Sequence, residues 1–253
     1  MKENWERKTN IVRGKEPIRL IALSDGLFAT VLTLLVLDLK LPDALSASSG
    51  NIATFLKWVG PHLFSYLLTF LVAGTYWQAH HRDFDQINQY DRSLLAYNLL
   101  FLLFIGLLPF TTASLSLPNF KSNSYAFFWA IYATNIILAG IMLILTWNYA
   151  VSHHLVSPEM TQRQSQHINI RRLVTPAVFL ISIGMGYLFP RYILEPYTLL
   201  IIPLGQWFVD RHFTGAEPKS PTGHPVWSEL LWRAGTILPW VLVMGLALWA
   251  IAK

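Results

Sequence analysis

The chain has 253 residues, of which 53% are hydrophobic and only 13% charged, and its net charge is +5. A soluble domain carries about 25% charged residues, so this composition excludes a water-soluble globular protein and predicts an all-α integral membrane protein. Cysteine is absent, which excludes disulfides, thiolate metal sites and a catalytic thiol. The Lys and Arg residues lie in short polar stretches between apolar runs, a pattern typical of membrane topology and not of nucleic-acid binding.

Seven apolar stretches approach the length of about 20 residues that a bilayer-spanning helix needs. They lie near residues 18–41, 53–79, 93–117, 125–150, 173–189, 193–209 and 230–252. The fifth and sixth are short and bracketed by prolines, and fit either two tilted spans or one re-entrant hairpin. We favour two spans, because Arg191 and Glu195 between them would prefer an aqueous edge. The seventh is expected to span, although it could instead lie along the membrane interface.

The predicted organisation is an N-terminal segment 1–17, a six-helix domain 18–210, a linker 211–226 and a C-terminal hydrophobic helix 227–253. Lys and Arg are concentrated before the first span and in alternate connectors, which predicts a cytoplasmic N-terminus. The connector after the second span carries a cluster of Asp83, Asp85 and Asp91. We expect this cluster to form a solvated cytoplasmic loop, with a cation-concentrating ring as the alternative.

The first span carries polar residues at membrane depth. If Ser24 capped the helix, the apolar part before Asp38 would be only about 16 Å long, far short of a hydrocarbon core of about 30 Å. The helix must therefore begin earlier, and Pro17 suits its first turn. Asp25 then lies inside the helix on a different face from Arg19, so another helix or subunit must supply its partner. Such residues usually face a protein interior or a water-filled path.

One face of this helix combines leucines with two threonines. At 100° per residue Leu23, Thr30 and Leu37 align, and the neighbouring positions are Leu27, Thr33, Leu34 and Leu41. Around a symmetry axis, such a face would form apolar rings that gate by dewetting and hydroxyl rings that replace part of an ion's hydration shell. The periodicity alone favours the simpler alternative, that the face packs against other helices, where Thr is common.

Longer motifs point to a known family. Arg19-x-x-x-Leu23-Ser24-Asp25-Gly26 resembles the R-x-x-x-F-S-D-G signature of the endosomal and lysosomal potassium channel family, with Leu23 in place of Phe. Residues 76–84, YWQAHHRDF, are similar to the family's tryptophan and paired-histidine motif. Residues 98–101 and 107–110 resemble parts of its third helix. The resemblance covers about residues 17 to 210, and the chain looks like a prokaryotic member.

The resemblance implies a potassium-preferring cation channel in the plasma membrane of a prokaryote, with no organic cofactor. It implies a homotetramer with six helices per subunit and the first helix of each lining the pore. The implied pore and gate residues are Leu23, Leu27, Thr30, Thr33, Leu34 and Leu37, with potassium in transit near Thr30 and Thr33. The implied polar network comprises Arg19, Ser24 and Asp25 with His80 or His81.

One position departs from the family pattern. Thr30 stands where family members commonly have Ile or Leu, the residue that forms their tightest constriction. A ring of threonines would be smaller and more polar than a ring of isoleucines. We therefore expect a leakier gate, or a gate that lies at Leu34 or Leu37 instead.

Other functions have weaker support. His80 and His81 point about 100° apart on a helix, and no nearby Glu or Cys completes a tetrahedral metal site with them. A secondary transporter or proton-linked permease using Asp25 is the main alternative, but the sequence has no second copy of the Ser-Asp-Gly helix. A non-conducting scaffold is disfavoured by the intramembrane Asp25. Neither G-x-S-x-G nor H-E-x-x-H occurs, so an enzyme is not expected.

Overall fold

The structure is a computed structural model and describes residues 14–15, 17–39, 52–115, 124–189, 195–212 and 245. The helices are α1 (Ile18–Leu34, continued by a 3-10 turn, Leu35–Asp38), α2 (Ile52–Phe84), α3 (Arg92–Gly106), α4 (Leu108–Leu115), α5 (Ser124–Ser152), α6 (Gln162–Leu188), α7 (Glu195–Thr198) and α8 (Ile201–His212). Strands β1 (Gly14–Lys15) and β2 (Gln89–Tyr90) form a two-residue antiparallel ladder. The all-α prediction is confirmed.

Four helical stretches are long and apolar enough to cross a bilayer, judged by length and composition over the described residues. They are Ile18–Leu37, Arg92–Leu115, Tyr125–Ser152 and Gln162–Leu188. Helix α2 is not among the four, but its 33 residues exceed the length of about 20 that a spanning helix needs. The predicted segment 1–17, linker 211–226 and helix 227–253 lie almost wholly outside the described residues.

Two expectations about the fifth and sixth spans are wrong. Helix α6 begins at Gln162, well before the predicted 173, because Thr161 and Gln164 form a capping box; Arg172 and Pro176 therefore lie inside the helix. The sixth span consists of the short α7 and α8. Glu195 does not face water: it is 3% exposed and packs so closely on Gly186 that a Cβ there would lie 2.5 Å from Oε1 of Glu195.

Helices α3 and α4 are one span with a break at Leu107. Pro109 has no N–H to donate to the carbonyl of Ile105, so the regular hydrogen-bond pattern is interrupted there. Nδ2 of Asn135 on α5 donates to the Phe104 carbonyl oxygen at 3.0 Å, which satisfies one backbone acceptor at the break. The interruption is thus compensated inside the bundle and the two helices still cross as a unit.

The core has two parts. The larger part lies among the helices and includes the fully buried rings of Phe28, Phe101, Trp129 and Tyr132. The smaller part lies at the end of the bundle where α1, α3 and α6 begin and α2 and α5 end, which we call the basal end. It is a cluster of Leu20, Phe84, Ile87, Leu94, Ala150 and Leu155. This second cluster ties the start of α1 to the turns around β2.

Candidate functional site

Helix α1 has two faces of opposite character. One face is buried against the other helices through Leu20, Ser24, Phe28, Val31 and Leu35. The other, which we call the exposed stripe, consists of Leu23, Gly26, Thr30, Thr33, Leu34 and Leu37. Leu37 is 60% exposed and Leu23 is 48% exposed, so no described residue of the chain covers this stripe. An apolar helix face left uncovered by its own chain suits contact with lipid or with another copy.

The structure places five of the six predicted pore residues on the exposed stripe. The sixth, Leu27, is partly buried and packs against the main core, so it lies at the edge of the stripe. Thr30 Oγ1 donates to the carbonyl of Gly26 and Thr33 Oγ1 donates to the carbonyl of Thr30, both at 2.8 Å. Because each hydroxyl hydrogen is used within the helix, the oxygen lone pairs stay available to water or a cation.

A buried hydrogen-bonded chain holds the back of α1. Nδ2 of Asn98 on α3 donates to Oγ of Ser24 at 3.3 Å, and Nε2 of His80 on α2 lies 2.9 Å from Oδ1 of Asn98. Ser24 Oγ in turn donates to the Leu20 carbonyl at 2.9 Å. Since Oδ1 is only an acceptor, His80 carries its hydrogen on Nε2. Three helices are therefore joined by one chain of polar atoms inside the apolar core.

A second contact joins α2 to α1 one turn away. Nε1 of Trp77 donates to Oδ1 of Asp25 at 2.9 Å, so the partner that Asp25 requires comes from the same chain. His81 stacks on Trp77 with ring centroids 5.5 Å apart, and its Nε2 lies 3.9 Å from Oδ2 of Asp85. Arg19 is exposed and forms no ion pair with the described residues.

The predicted polar network is thus brought together only in part. Ser24 and His80 are connected, but through Asn98, and Asp25 is held by Trp77. His81 and Arg19 lie outside the bonded chain. Asn98 is absent from the predicted network, although the sequence does carry a signal for it. An amide in the middle of an apolar helix needs a buried partner.

The acidic cluster after the second span is not a solvated loop, and that expectation is wrong for two of its three residues. Asp83 and Asp91 are buried, and only Asp85 is exposed. Asp91 caps α3 by accepting from the Leu94 N–H at 2.8 Å, and it also accepts from the Tyr149 hydroxyl at 2.7 Å. Asp83 forms an ion pair with Arg172 of α6. These carboxylates connect elements and do not form a cation-attracting ring.

Replacing Asn98 by alanine should lower the free energy of unfolding by a measurable amount. Asn98→Ala leaves Ser24 and His80 without their shared partner in a dry site, and each lost buried hydrogen bond costs about 1–3 kcal/mol. We expect the free energy of unfolding in detergent to fall by about 2–4 kcal/mol. Asn148→Ala is the matched control, since Asn148 makes an amide–amide bond with Asn169 at an exposed position. A similar loss in both variants would contradict the importance of the buried chain.

Comparison with known proteins shows similarity to one family of ion channels. The family model described as endosomal/lysosomal potassium channel TMEM175 matches residues 19–109, the region that contains α1, the anchors on α2 and Asn98. A potassium channel of Streptomyces collinus is 28% identical over 188 residues, which cover 74% of this chain and 90% of that protein. Over this region the chain is therefore similar to TMEM175 channels. Its apolar helices and its similarity to bacterial potassium channels support a multi-pass membrane protein. The proteins that it resembles are ion channels and not enzymes.

Further TMEM175 proteins are similar in sequence or in fold. The human endosomal/lysosomal proton channel TMEM175 is 32% identical over 145 residues, or 53% of this chain and 28% of the human protein. The crystal structure of a lysosomal potassium-selective channel TMEM175 homolog from Chamaesiphon minutus superposes with a TM-score of 0.60 at 21% identity, covering 78% of this chain and 97% of that one. The six-helix TMEM175 fold is therefore present here.

Proposed function

We propose that the protein is a potassium-preferring cation channel formed by four copies of the chain, with α1 of each copy lining the pore. The observation that carries this proposal is the exposed stripe: a helix anchored on its polar back, with leucines and two outward-facing threonine oxygens on its uncovered front. The names of the TMEM175 relatives, which include potassium channels, support the same function.

The stripe gives each level of the pore a different chemistry. The Thr30 and Thr33 oxygens are about one helical turn apart, so four copies supply two adjacent rings where a potassium ion in transit exchanges water for hydroxyl oxygen. Leu34 and Leu37 follow with apolar side chains, and narrow apolar rings close by dewetting. The gate therefore lies at Leu34 or Leu37, while Leu23 and Leu27 flank the pore at the start of the helix.

The anchors keep the pore face in register. A pore helix must present the same residues to the axis in all four copies, and a rotation of one residue, about 100°, would replace Thr30 by a neighbour. Ser24, Asp25 and His80 resist that rotation through Asn98 and Trp77. Arg19 and His81 lie at the basal end, on the side that the Lys and Arg distribution assigns to the cytoplasm of a prokaryotic cell.

The test is electrical. Purified protein in a planar bilayer should give unitary currents whose reversal potential follows the potassium gradient when sodium replaces potassium on one side. A separate pH gradient identifies any proton component, which matters because the human relative is named a proton channel. Saturable flux without unitary currents would contradict the channel and support a transporter that uses Asp25.

A further inference from the structure

Three polar anchors follow one another along the basal end of α2. Trp77, His80 and Asp83 are spaced three residues apart, so each side chain is rotated by about 60° from the one before. Trp77 bonds to α1, His80 bonds through Asn98 on α3 to α1, and Asp83 pairs with Arg172 on α6. The end of α2 is thus held from three sides, and two of the three contacts lead to the pore helix.

We propose that the buried Asp83–Arg172 ion pair is a positioning device that couples α6 to the pore helix α1 and sets how often the pore is open. The proposal rests on the proposed function, in which α1 lines the pore. Arg172 contacts Asp83 of α2 and the Trp147 ring of α5. It acts through the basal end of α2, which carries the contacts to Asp25 and Ser24.

The surroundings of the pair show why its position matters. The Asp83 side chain is 2% exposed and the Arg172 side chain 8% exposed, and the Arg172 guanidinium lies over the Trp147 ring at 5.0 Å from its centroid. Trp147 itself donates from Nε1 to Oγ of Ser165 on α6 at 3.1 Å. The arginine is therefore held by α5 and α6, and its fixed charge determines where Asp83 can lie.

Among the described residues, neither Asp83 nor Arg172 has another partner that would fully compensate for loss of the ion pair. Oδ2 of Asp83 and Nη1 of Arg172 are buried and find no hydrogen-bond partner among the described residues. A buried ion pair adds little stability over apolar packing, but loss of one partner leaves an uncompensated buried charge. Without Arg172, the Asp83 carboxylate gains by moving toward water. That movement displaces the end of α2 and, through Trp77 and His80, shifts α1.

The experiment measures open probability and unitary conductance of the reconstituted channel. Arg172→Gln and Asp83→Asn are expected to change open probability by about two- to thirtyfold, the range typical of mutations that alter coupling between sites. Unitary conductance should stay the same, because no pore-lining atom changes. Exchanging the charges in Asp83→Arg with Arg172→Asp should return open probability toward the parent value, and Arg172→Lys should lie between the two.

Arg171→Gln is the matched control. Arg171 is the adjacent arginine on α6, but its Nη1 pairs with Asp210 of α8 at 3.3 Å and so points to a different helix. Its removal should leave open probability within about twofold of the parent. An equal effect of both arginine variants would overturn the proposal, because it would show a general response to loss of charge on α6.

A second readout does not depend on conduction. The chain has no cysteine, so Leu23→Cys places a single thiol on the exposed stripe near the basal end, and Gln162→Cys places one at the exposed, polar start of α6. Arg172→Gln should change the rate at which a charged thiol reagent modifies the first thiol by at least about twofold, and leave the second unchanged. If the parent protein carries no current, the proposed channel function is wrong. The modification rate at Leu23→Cys still tests whether Arg172 on α6 is coupled to α1.

Two results would overturn the inference. One is an unchanged open probability in Arg172→Gln and Asp83→Asn assemblies that remain folded. The other is an unchanged modification rate at Leu23→Cys. If Arg172→Gln does not fold, Arg172→Lys and the charge exchange take its place. The pair would then not be a positioning device if Arg172→Lys had the open probability of the parent and the charge-exchanged protein did not open at all.

Discussion

Thr30→Lys is expected to lower the unitary potassium current by more than about a hundredfold. Four copies place four ammonium groups around one level of the pore, and at about 8 Å and an effective dielectric constant of about 20 each repels a passing cation by about 2 kcal/mol. The repulsions add, since all four act on the same ion. Single-channel recording of the purified variant in potassium chloride measures the effect directly.

Thr30→Asp is the control of opposite sign. It changes the size and polarity of the ring in a similar way but attracts cations, so the potassium current should be retained or increased. Loss of current in both variants would point to disturbed packing of α1. A normal current in Thr30→Lys would show that residue 30 does not face the ion.

Gly140→Ala should be the most destabilising small substitution in the described core. A Cβ at this position would lie 2.5 Å from Cγ of Pro176 and 2.8 Å from Oη of Tyr76. The proline ring is rigid, and the tyrosine hydroxyl donates to the Ile136 carbonyl at 2.8 Å, so neither atom can retreat easily. Overpacking of this kind costs about 1–3 kcal/mol or more, and we expect a loss of about 3 kcal/mol in free energy of unfolding.

Gly184→Ala is the matched control for this substitution. Gly184 also lies in a long helix, but a Cβ there meets no atom within 4 Å. Alanine is the better helix former by about 1 kcal/mol, so this variant should be as stable as the parent or slightly more stable. Denaturation in detergent, followed by circular dichroism, compares the two. Equal stability of both variants would contradict close approach of α5 and α6 at Gly140.

The first helix was largely predictable from the sequence. The length that a bilayer span requires predicts a start before Ser24, and α1 begins at Ile18, directly after Pro17. The 3.6-residue period also predicts that Leu23, Thr30 and Leu37 share one face, and all three are exposed in the structure. Span length and helical period are properties of local geometry, which one helix determines by itself.

The partners of the polar residues were not predictable in the same way. Asp83 lies in a stretch dense in charge, which resembles a solvated loop, and its partner Arg172 is remote in sequence. Only the three-dimensional structure, in which Arg172 of α6 pairs with Asp83 of α2, shows that the carboxylate is buried. Glu195 is the same case, since nothing near it in the sequence indicates that Gly186 would make room for it.

The start of α6 was missed although a local signal existed. The first part of the helix, which includes Arg163 and Arg171, is too polar to extend an apolar span, so hydropathy placed the start at 173. The sequence Thr161-x-x-Gln164 has the form of a capping box and would have indicated a helix that begins at Gln162. Capping signals locate a helix end where hydropathy locates only the membrane-embedded part.

The most direct test of a pore lined by α1 is a cysteine scan of that helix in the cysteine-free chain. Single cysteines are introduced at Thr30, Thr33, Leu34 and Leu37 on the exposed stripe and at Phe28, Val31 and Leu35 on the buried face, and a charged thiol reagent is added during recording. We predict block of the potassium current at the stripe positions and none at the buried ones. Modification of the stripe thiols with no change in current would contradict a pore lined by this helix.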